Sequence, residues 1–296
     1  MTAVRASLLL LACVPAMVGA ALQPQTRRVY VSAVDKNGAP IADLTAAEFA
    51  VKENGKERPI VNVAPATGLM QIAILVDDNG TGLFRAGVAR FIEALLGRAE
   101  FSVSTVTGQM LKLVDYTTKA QPLSEAIGKL NARPSTNDGG QLLDGISETA
   151  NDLQKREARR PVIVALTVGG EEHSTLPAQH VLDNLRQSGA SLHVITVVNN
   201  TLRSQPAATS AAGLLGENMN LSEVLGDGPK QSGGYSDEIV AAASVLTGLQ
   251  QLAEALKRQY VIEYTLPDGV KPSDKLSVSV KRKGVTLHAP TRIPAR

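Results

Sequence analysis

The feature that most constrains this chain is a repeat between residues 69 and 198, where short apolar runs alternate with amphipathic stretches. Ile72-Ala73-Ile74-Leu75-Val76 and Val162-Ile163-Val164-Ala165-Leu166 contain no polar position, the pattern of a strand covered on both faces. Leu192–Val198 adds another strand, and Phe101–Thr107 with Met110–Tyr116 read as a strand pair around Gly108-Gln109. Between them, Gly82–Leu96 places Phe84, Val88, Phe91, Ile92 and Leu95 on one helical stripe. Pro122–Leu130 and Leu142–Glu157 are also helical, and Pro177 opens a helix that ends near Gly189. This alternation predicts an α/β fold, a doubly wound and mainly parallel sheet with helices on both faces.

The flanks read differently. Val29–Val34, Phe49–Lys52 and Ile60–Val63 are strand-like, with Asn-Gly turn signals at Asn37-Gly38 and Asn54-Gly55. Tyr260–Tyr264, Leu276–Val280 and Val285–His288 alternate with period two. Three such strands do not readily stand alone. The expected arrangement is therefore a small discontinuous β-sandwich-like domain (26–66 plus 260–290) with the α/β domain (69–258) inserted in it. Residues 199–236 lose periodicity and read as a long loop, and Asp237–Arg258 returns to helix.

The N-terminus has the order of a secretory signal: Arg5, an apolar run from Leu8 to Val18, then small residues before Gln23-Pro24-Gln25. Cleavage after residue 20 is expected, giving an exported, periplasmic or secreted chain with no membrane span. Such cleavage also removes Cys13, the single cysteine, so disulfides and cysteine-based zinc sites are excluded. Thirty Lys+Arg against 28 Asp+Glu, with no Trp and four Phe, leaves neither the charge nor the stacking platform expected of a nucleic-acid binder.

Chemistry in such a sheet belongs beyond the carboxyl ends of its strands. The first inner strand ends in Asp77-Asp78-Asn79-Gly80-Thr81. There, and in the lead-in Asp35–Ile41, Leu44–Phe49 and Glu53–Lys56, the chain resembles the bacterial exported branch of the von Willebrand factor type A family. The second loop Gly139–Asp144 and the strand Tyr260–Tyr264 extend the resemblance over most of residues 28–290. That family carries a metal-ion-dependent adhesion site opening with Asp-x-Ser-x-Ser, and the matching residues here are Asp77, Asn79 and Thr81.

The match is degenerate. Gly140 stands where the family's second loop offers a threonine hydroxyl, and Val168 stands where its third loop offers an aspartate. A Mg²⁺ site needs hard oxygen ligands, and neither residue supplies one. Asp78, Asp138, Glu171 and Glu172 are the nearby acids that would have to compensate. Without them, Asp77 and Asn79 are expected to cap the following helix. The resemblance thus implies a non-enzymatic module that binds an unidentified protein partner through loops 77–82, 137–141, 168–175 and 199–236, with no cofactor. The alternative is a Mg²⁺-dependent adhesion protein with a non-standard site.

Asp77-x-Asn79-Gly80-Thr81 also resembles the first motif of haloacid-dehalogenase phosphatases, with Thr167 in place of their second. Asn79, however, cannot shuttle a proton, and Val198 leads into Asn199-Asn200-Thr201 rather than an acidic pair. His173, His180, His193 and His288 form no metal-ligand spacing. The basic runs Arg156–Arg160 and Lys281–Lys283 read as a solvated helix end and a hairpin turn.

Overall fold

The computed structural model describes residues 25–130, 140–169, 172–198 and 211–295, with backbone alone over 211–218. The expected leader, Asp138 and Glu171 lie outside the described residues. The chain opens with β1 (Gln25–Val34), a 3-10 turn (Ala46–Glu48), β2 (Phe49–Glu53), β3 (Lys56–Arg58) and β4 (Ile60–Pro65). It continues through β5 (Met70–Asp77), α1 (Arg85–Leu95), β6 (Ala99–Thr105), β7 (Leu111–Thr117), α2 (Ala120–Gly128) and α3 (Leu142–Lys155). Next come β8 (Pro161–Thr167), α4 (Ala178–Ser188), β9 (Ser191–Val197), α5 (Ala211–Ser232), β10 (Ser236–Ile239) and α6 (Ser244–Lys257). It closes with β11 (Tyr260–Leu266), β12 (Leu276–Val280) and β13 (Thr286–His288).

The central sheet has the order β10-β9-β8-β5-β6-β7 and is parallel except for β7. The apolar runs explain it directly. Ile72, Ile74 and Val76 of β5 pack with Val88, Phe91 and Leu95 of α1 and Leu249, Leu252 and Leu256 of α6. Leu75, Ile163 and Ala165 face the other way, onto Leu142, Ile146 and Leu153 of α3 and Val181 and Leu185 of α4. Side chains that alternate across the pleat thus bury both faces, which is why no polar position interrupts these strands.

Two further sheets, β13-β1-β11-β4 and β12-β2-β3, share a third core containing Val29, Val31, Phe49, Val51, Ile262 and Tyr264. β1 pairs antiparallel with β11 and β13, and β2 with β12. A buried ion pair bridges these two sheets. Arg27 of β1 meets Glu53 of β2 at 2.9 Å, and Glu53 also accepts the Tyr264 hydroxyl at 2.6 Å and the Ser273 amide at 2.7 Å. Arg27 donates further to the carbonyls of Ser273 and Pro294.

Three sequence expectations are corrected here. The segment 199–236 carries the 22-residue helix α5, whose Val224 enters the core of the α3–α4 face. Ser236–Ile239 is a fifth parallel strand, β10, so the expected helix begins only at Ser244. Lys281–Lys283 is not a hairpin turn: β12 and β13 lie in different sheets, and Arg282 is fixed between Asp43 and Glu48 at 2.7 Å each.

Arg160 is the fourth correction. Expected at a solvated helix end, it is 3% exposed. The chain passes from β4 to β5 at residues 66–69 and returns from α6 to β11 at 258–259. The Arg160 guanidinium reaches both crossings. It donates to the carbonyls of Ala66 and Gly68 at 3.1 Å each, to the Leu256 carbonyl at 2.6 Å and to the Gln259 side chain at 2.8 Å. Truncation leaves these acceptors buried and unpaired. Arg160→Met should lower the unfolding free energy in urea by about 3 kcal/mol, and Arg159→Met, an exposed neighbour, by about 0.5 kcal/mol or less.

Candidate functional site

The parallel strands deliver their carboxyl ends to one edge, and Asp77 sits there at the end of β5, beside Thr167 at the end of β8. The Thr167 hydroxyl donates to Asp77 Oδ2 at 2.8 Å and accepts the Gly169 amide at 2.9 Å. The Val168 amide donates to the Asp77 carbonyl at 3.0 Å. Val168 therefore meets the tip through its backbone.

Gly140 lies against the same carboxylate. It bridges Thr107 on one side and Glu172 on the other, and its carbonyl accepts the His173 amide at 2.7 Å. A Cβ built on residue 140 would lie 3.1 Å from both Asp77 side-chain oxygens. The missing side chain is thus what lets the backbone of the second loop close onto the aspartate. Enclosure has an electrostatic result: desolvation, opposed by the Thr167 hydrogen bond and reinforced by Asp78, raises the Asp77 pKa to about 6.

The other acids of this edge accept backbone amides, and the buried Oδ2 of Asp78 is left without a hydrogen-bond partner. Asp78 is buried and its Oδ1 accepts the Gly80 amide at 3.0 Å. Glu172 is buried at the start of α3, where its two oxygens accept the amides of Leu142 (3.2 Å) and Leu143 (3.3 Å). This is the favourable place for a carboxylate, at free N–H groups on the positive end of a helix. Desolvation nevertheless dominates and raises the pKa values of both Asp78 and Glu172. Asp144, in the first turn of α3, accepts the amides of Thr175 (3.1 Å) and Leu176 (3.2 Å), and its own amide donates to Ser174 Oγ at 3.0 Å. Two loops distant in sequence are thereby locked together.

Asn79 is exposed at φ +51°, in the left-handed region that asparagine tolerates. Thr81 Oγ1 accepts the Leu83 amide at 3.3 Å. Asp78 and Thr81 take amides of the turn before α1, and Phe84 at the head of α1 makes no side-chain cap. Among the described residues, no three His, Cys, Asp or Glu side chains group to hold a metal. The donors described at Asp77 do not make a cation cage: one carboxylate oxygen takes Thr167, Gly140 closes over the group, and Val168 offers no ligand. His193 is buried on β9 against Tyr235, 5.4 Å between ring centroids, and burial lowers its pKa to about 3, so it stays neutral within the core.

Sequence reasoning missed Val240, which it placed in a helix, and covered Met219 only within the expected binding loop 199–236. Met219 and Val240 are 71% and 80% exposed. Val240 directly follows β10, and Met219 precedes Asn220, whose side chain accepts the Ala178 amide at the start of α4 (3.2 Å). Both therefore sit where the parallel strands end.

No protein-family model and no curated protein matches the chain. Similar solved structures include a von Willebrand factor type A protein from Catenulispora acidiphila, 12% identical with a TM-score of 0.47 over 91% of this chain and 74% of that one. Proximal thread matrix protein 1 from the mussel byssus is 11% identical, TM-score 0.46, over 65% of this chain and 49% of its own. The pilus adhesin SpaC of Lactobacillus rhamnosus GG is 10% identical, TM-score 0.45, over 82% and 47%. The chain thus spans about half the length of the mussel and pilus structures it matches.

Two expectations follow from the Asp77 tip. The carboxyl's folded pKa lies above its ordinary 3.8, so its protonation favours folding at low pH and that contribution is lost as the pH rises through about 6. Asp77→Asn should therefore stabilise the chain at pH 7.5 by about 1–2 kcal/mol and by little at pH 4, read from urea midpoints. Gly140→Ala should cost about 1 kcal/mol, and less in an Asp77→Ala background, where the Cβ no longer meets the carboxylate.

Proposed function

We propose that this chain is an exported, non-enzymatic protein–protein interaction module of von Willebrand type A kind that works without a cation. The observation that carries this reading is the chemistry of the carboxyl edge. Its acids are turned inward to hold loops together, and its most exposed large apolar side chains, Met219 and Val240, face solvent. A rigid rim with exposed apolar points suits contact with another protein. It lacks a proton donor at Asn79 and an open carboxylate at Asp77, which a phosphoryl-transfer reading requires. In this reading residues 69–258 form the binding domain, residues 26–66 with 260–290 form the β unit that carries it, and the leader is removed on export. Among the described residues no helix is long and apolar enough to cross a membrane.

Metal independence is tested by thermal denaturation. The melting temperature should move by less than about 1 °C with millimolar Mg²⁺, Mn²⁺ or EDTA, because a ligand that binds only the folded chain must raise it. Stabilisation by the ion that disappears in Asp77→Ala would instead establish the Mg²⁺-dependent alternative. The interaction surface is tested by capture on immobilised chain in EDTA. A protein retained by the native chain should be lost from a Met219→Lys, Val240→Asp variant of unchanged melting temperature; retention by that variant moves the surface elsewhere.

A further inference from the structure

At the opposite, amino edge of the central sheet, a cavity of about 310 Å³ lies where β1 and the last described residues meet the starts of β8 and β9. Arg27, Arg28, Arg159, Arg160, Arg186 and Arg292 line it, and no aspartate or glutamate does among the described residues. Carboxylates outside the lining answer four of these six cations: Glu53 for Arg27 at 2.9 Å, Glu263 for Arg28 at 2.6 Å, Asp183 for Arg186 at 2.9 Å and Asp274 for Arg292 at 2.7 Å. Arg159 and Arg160 are left with no carboxylate among the described residues.

The two are unbalanced in complementary ways. Arg160 is buried and its terminal nitrogens reach only neutral acceptors, while its Nε has no hydrogen-bond partner. Carbonyl dipoles solvate a guanidinium without cancelling its charge. Burial accordingly brings its pKa down to about 10, still charged at neutral pH. Arg159 is exposed on the same wall and can move to meet a ligand. Leu182, Leu185 and Pro290 give the cavity an apolar side. A volume at the lower end of the range for ligand pockets (about 300–1,000 Å³) fits a small molecule rather than a polymer.

We propose that this cavity binds a small molecule with an oxyanion head, carboxylate or phosphate, on a short apolar body, that Arg159 is its direct anion-binding residue, and that Arg160, whose terminal nitrogens are held by the fold, contributes only its uncancelled charge. Guanidinium forks match both oxyanions, so the head group is decided by measurement. Calorimetric titration of the full chain at constant ionic strength with phenyl phosphate and with benzoate should show saturable binding of at least one, and the tighter assigns the head group. Arg159→Gln, an exposed substitution, should weaken that binding about tenfold. Arg90→Gln on α1, where Arg90 pairs with Glu93 at the surface, should leave it unchanged. The proposal is overturned if neither probe saturates, if Arg159→Gln binds as the native chain does, or if Arg90→Gln weakens binding equally.

Discussion

The two chain crossings between the antiparallel sheets and the parallel one are organised around the Arg160 guanidinium. The chain passes between the two β regions twice, and both passages expose backbone carbonyls that no sheet or helix can satisfy. One planar cation, carried in by the residue just before β8, satisfies them together, with the Tyr30 ring 5.4 Å from it. A lysine has neither the reach in two directions nor the fixed fork. Burying a charge among neutral groups is costly, and the cost is offset only because four acceptors would otherwise be orphaned.

The central sheet was legible in the amino-acid order because burial on both faces removes every polar position from β5 and β8, and the helices beside them carry stripes. What was not legible follows from weaker local signals. α5 contains Gly213, Gly216, Gly226, Gly228 and Pro229, a composition that argues against helix, and tertiary contact overrides it: Val224 is fully buried and Ser232 accepts the Leu192 amide. β10 is four residues of largely polar sequence at a sheet edge, specified by its pairing with β9 rather than by its own pattern. At Gly234 the requirement is steric, since a Cβ there would lie 1.8 Å from the Leu192 carbonyl. Which arginine of a basic run turns inward depends on segments some ninety residues away on either side, and no local rule reads that.

The candidate site was half legible. Asp77, Gly140, Val168 and Glu172 do converge on one edge, as strand ends in a parallel sheet must. Their roles came only from geometry. Glu172 reads from sequence as a spare acid, yet it serves the first amides of α3; Asp144 reads as part of a ligand loop, yet it clasps residues 174–176. At this edge the acids fasten one segment of backbone to another.

The Arg27 bonds to Ser273 and Pro294 join the first described strand to the last described residues. Tension applied between residues 25 and 295 is therefore borne first by these bonds and by the ladder of β1 with β11, loaded along their length. The α/β region joins this frame at its two chain crossings and again where the Thr291 and Arg292 amides donate to the Gln231 carbonyl at the end of α5, 3.0 Å each. Load entering at residue 295 therefore meets the end of α5, at the amino edge of the central sheet, and the carboxyl edge lies at the far end of the strands from it.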